Sequence, residues 1–95
     1  MLPKEFLDHC AKECDLANTG THRRDLLEDF RDDPTSVENY VYNQLDRWVV
    51  EAMRLRVVNG MFPFDSVRHI PEITHHIKEH FAKEIAALPA SSVAG

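Results

Sequence analysis

Glycine is scarce here, with three residues in 95. That leaves few positions for the tight turns of a sheet protein and disfavours an all-β architecture. No apolar run approaches the roughly eighteen residues that would mark a membrane-spanning helix. The opening Met1-Leu2-Pro3-Lys4-Glu5 lacks the charged and apolar segments of a secretory signal. Cysteine is limited to Cys10 and Cys14, one helical turn apart. Two side chains on the same face of a helix rarely offer the Cβ approach a disulfide needs, so free, buried thiols in a reducing cytoplasm are expected. Basic residues are also in deficit. Lys and Arg total 11 against 16 Asp and Glu, a net charge of −5. Such a surface repels phosphate backbones and anionic membranes.

What remains is 43% apolar, enough for one globular domain near the lower size limit of a self-sufficient core. The apolar pattern has helical period throughout and predicts an all-α fold. The expected form is a compact bundle of about four helices around one long central helix over 36–59. Residues 1–89 form the domain, and 90–95 a flexible tail with too little apolar bulk to dock.

The first stripe is Phe6, Leu7, Cys10, Cys14 and Ala17. Pro3 suits a first helical position, and Asn18-Thr19-Gly20 is a stop in which Gly20 can turn left-handed. Thr21 can cap a second helix, about His22 to Arg31, burying Leu26, Leu27 and Phe30 before Asp32-Asp33-Pro34 ends it. Thr35-Ser36-Val37-Glu38 reads as a capping box and Asn59-Gly60 as a stop, which bound the long helix. The last helix starts or kinks at Pro71 and ends near Leu88-Pro89, with Ile70, Ile73, Ile77, Phe81, Ile85 and Leu88 as its core stripe.

On a helical wheel the long helix has two apolar arcs. Val37, Val41, Leu45, Trp48, Ala52 and Leu55 form one; Tyr42, Val49, Val50, Met53 and Val57 form the second. A helix wetted on one side only needs cover on two others. The other helices could supply it, or a second copy, or a partner protein. Tyr42, Val49, Val50, Met53 and Val57, with Met61, Phe62 and Phe64 of the following connector, are therefore the candidate interface. Aromatic and Met side chains make effective anchors at such contacts. Completion of the monomer core is the competing use of the same residues.

Six histidines raise a metal question. His76-Ile77-Lys78-Glu79-His80 matches the H-x-x-E-H pattern, in which two histidines one turn apart hold zinc beside a carboxylate. That pattern belongs to much larger enzymes with a third, acidic ligand far downstream. His76 and His80 thus define an alternative reading, a zinc-binding protein or small hydrolase. The plainer one places His69, His76 and His80 at the border of the apolar arc, each offering a nitrogen to water or a carboxylate. Protonating all six would move the net charge from −5 to +1, so an interface relying on the acidic surface would weaken in acid. His9 beside the cysteines is a further three-ligand combination, but cysteines at core positions read first as small hydrophobes.

Nucleic-acid recognition is not expected. A helix-turn-helix reading would open its recognition helix with Ser36-Val37-Glu38-Asn39-Tyr40, without a basic residue, and Arg23-Arg24 is the single compact basic spot. No phosphate loop or nucleophile elbow occurs. Glu28-Asp29 and Asp32-Asp33 read as a solvated face and a helix stop rather than acid–base pairs. The expectation is a small acidic interaction or regulatory module in the cytoplasm, not an enzyme and without a cofactor. It would bind another protein or itself, in the manner of the small inhibitors and accessory proteins of phages and mobile elements.

Overall fold

The computed structural model describes residues 2–57 and 67–89. Met1, 58–66 and 90–95 lie outside them, and so do the expected tail, the Asn59-Gly60 stop and the connector residues Met61, Phe62 and Phe64. Among the described residues the fold is all-α, with four helices: α1 (Lys4–Ala17), α2 (Gly20–Asp32), α3 (Ser36–Arg54) and α4 (Ile70–Ala86), the last preceded by a 3₁₀ turn over Val67–His69. α3 and α4 share the most extensive contact, and each also packs on α1 and α2.

α1 begins after Pro3, which is the N-cap in extended conformation rather than the first helical residue. Its carbonyl accepts from the amides of Phe6 (3.1 Å) and Leu7 (3.2 Å). The inward face carries Phe6, Cys10 and Cys14 as expected, together with His9 and Ala11, while Ala17 is exposed. Leu2, ahead of the helix, is buried, and its amide donates to the Glu72 carboxylate on α4. Asn18 ends α1 twice over. Its backbone N–H closes on the Cys14 carbonyl, and its side-chain Nδ2 donates to that same carbonyl and to the Tyr40 hydroxyl, each at 2.9 Å.

The turn into α2 departs from expectation by two residues. Gly20 is left-handed (φ +58°), but it is the first residue of α2, and Thr19 rather than Thr21 holds the N-cap position. Leu27 and Phe30 are buried; Leu26 packs at the core's edge.

α3 starts where the sequence placed it, by a different device. The Thr35/Glu38 capping box does not form. Pro34 starts a turn that leaves Thr35 in the right-handed helical region (φ −89°, ψ −9°), where its side chain makes no cap bond. Asp33 acts instead: its Oδ1 accepts from the Thr35 amide (3.0 Å) and hydroxyl (2.8 Å). Ser36 donates its hydroxyl to the carbonyls of Asp29 and Asp33, which ties the ends of α2 and α3 together.

α3 also stops earlier than Asn59. Leu55 is the C-cap, Arg56 takes the left-handed conformation (φ 57°), and the amides of Arg56 and Val57 close on the carbonyls of Met53 (3.1 Å) and Ala52 (2.8 Å). This is a Schellman motif with arginine in the position glycine normally fills. Val57, packed against the core beyond the cap, supplies the apolar contact that accompanies the motif. Because the helical register ends there, Leu55 leaves the buried arc and is 52% exposed, contrary to its place on the wheel.

The rest of that arc, Val37, Val41, Leu45, Trp48 and Ala52, is buried and meets Ile70, Ile73, Ile77 and Phe81 of α4 within one core. Phe30, Tyr40, Trp48 and Phe81 pass ring contacts from helix to helix, Phe30–Tyr40 edge-on at 5.9 Å and Phe30–Phe81 at 6.1 Å. Ile85 and Leu88 complete the α4 stripe at its edge.

Candidate functional site

The second arc of α3 divides. Val49 and Val57 are partly buried and pack on the core, so part of this arc completes the monomer. Tyr42, Val50 and Met53 remain 63%, 61% and 46% exposed. Spacings of eight and three residues put these three side chains on one side of α3, next to the exposed Asn39 and Asp46. Opposite them the helix is anchored by Trp48, Val41 and Ala52, so the exposed residues stand on a rigid element. Met61, Phe62 and Phe64 fall outside the described residues.

The sequence reading missed a second exposed apolar spot. Leu16 of α1 (65% exposed) and Leu55 line a cleft of about 300 Å³ with Val57 and His9. Leu16 was discoverable from its place off the α1 stripe. Leu55 was not, because its exposure follows from the early helix stop. His9 at the floor of this cleft is itself buried, and its Nε2 lies 3.2 Å from the Trp48 carbonyl, a partner that only an N–H on that nitrogen can satisfy.

His76 and His80 face away from a common centre. His76 Nε2 approaches Asp8 Oδ1 at 3.4 Å, and His80 Nε2 approaches Asp15 Oδ2 at 2.9 Å. The two carboxylates are two turns apart on α1, so each histidine has its own partner across the α1–α4 seam. Glu79 is exposed and nearest His75, at 3.9 Å. Among the described residues no three His, Cys, Asp or Glu side chains are grouped to hold a metal ion. His76 also borders a groove of about 520 Å³ with Leu2, Leu7 and Glu72.

Asp15 is the hub of this seam. Besides His80 it accepts from Arg23 Nη1 at 2.8 Å, and Arg23 donates its other nitrogens to Glu84 on α4. The same guanidinium lies 5.1 Å above the Phe81 ring, a cation–π contact, and His80 stands edge-on to that ring at 4.8 Å. Partial burial works against the Asp15 charge, but the hydrogen bonds from Arg23 and His80 outweigh it and hold the carboxyl below its ordinary range. Glu84 is lowered chiefly by the Arg23 hydrogen bond. The arrangement joins α1, α2 and α4, and its Arg23 and Glu84 also line a cleft of about 440 Å³ with Gly20, Arg24, Leu27 and Leu88.

The two cysteines are free, fully buried and unbridged. Burial pushes the Cys14 thiol up to about 12 and the Cys10 thiol higher still, so both stay protonated and inert at neutral pH.

No described helix is long and apolar enough to cross a membrane. Compared with known proteins, the chain matches no family model, no curated protein and no solved structure.

Proposed function

We propose that this chain is a protein–protein interaction module that docks through the exposed side of α3. The observation that carries the reading is the exposure of Tyr42, Val50 and Met53 together on one side of a helix whose opposite side is fully committed to the core. Single exposed apolar residues are ordinary on protein surfaces; three on one rigid helix face make a surface suited to association. A partner meeting this face buries an aromatic ring and a flexible thioether, side chains that anchor contacts well. The Leu16–Leu55 cleft offers an additional apolar contact. The free thiols suit a reducing compartment such as the cytoplasm, and the net charge of −5 favours a protein partner over nucleic acid. Within this reading, an inhibitor or accessory protein would act by occupying its target's surface rather than by chemistry.

The test is a capture experiment from the native host, with wild-type protein and a Tyr42→Glu/Val50→Glu variant. The expected outcome is a specific partner recovered by wild type and lost by the variant, with helicity and melting temperature unchanged. Equal capture by both proteins, or a hydrolytic turnover that survives the double change, would overturn the proposal.

A further inference from the structure

We draw no further inference here: the strongest candidate, the exposed Tyr42–Val50–Met53 face of α3, carries nothing beyond the docking reading, because nothing in the structure shows what covers it.

Discussion

Arg56 holds a conformation that costs an L-residue with a Cβ about 1 kcal/mol and that glycine adopts freely. The Schellman bonds from Arg56 and Val57 to the carbonyls of Met53 and Ala52 set that angle. Arg56→Gly should therefore raise stability by about 1 kcal/mol, read from the denaturation midpoint, whereas Arg56→Val should lower it. Asp33 supplies the second test at this scale. Its carboxylate, held low by hydrogen bonds from Thr35, caps the α2–α3 turn. Asp33→Ala should cost about 1 kcal/mol, as for other caps. Thr35→Ala should cost clearly less, because the Thr35 side chain caps nothing; if the two costs were reversed, the capping box would be restored as the true device. Of this region the sequence showed where α3 begins but not which side chain begins it. Two acceptable caps, Asp33 and Thr35, stand two residues apart, and the turn at Pro34 decides between them by setting the backbone angles of Thr35.

Between elements, the Arg23 node ties α2 to α1 through Asp15 and to α4 through Glu84. Arg23→Ala should cost about 1–2 kcal/mol, from ion pairs worth up to about 1 kcal/mol each and a cation–π contact of about 0.5–1 kcal/mol. Both carboxyls are lowered in the folded state. Their contribution is thus fully present above the ordinary carboxylate range near pH 4 and disappears as pH falls through the lower folded-state values. The wild-type protein should lose stability in acid, and the Arg23→Ala variant should lose less over the same interval, as urea unfolding at a series of pH values would show. The border position of His76 and His80 was legible on the wheel, but their carboxylate partners were not, and His69, expected beside them, is buried in the 3₁₀ turn instead. His80 and Asp15 are 65 positions apart, and no local pattern links them.

For the molecule as a whole, the core runs without interruption from α1 through α4, with Cys10 and Cys14 in it at 0% exposure. A thiol reagent reaches them only when the domain opens. Alkylation near pH 8 should be slow in native conditions and should accelerate in step with unfolding across a denaturant series. Rapid labelling of either cysteine in the native protein would show that α1 opens by itself, independently of the rest.

The order of the described helices and the inward stripes of α3 (Leu55 excepted) and α4 follow from sequence alone, because burying a residue every three or four positions is a property of each segment by itself. Only the tertiary structure decides how much of α3's second arc is covered. Val49 and Val57 pack on the core while Tyr42, Val50 and Met53 do not, and that division depends on where neighbouring helices run and on the early stop at Arg56. Likewise it decides that His76 and His80 turn to separate aspartates rather than to one centre, because α1 presents Asp8 and Asp15 two turns apart along the seam.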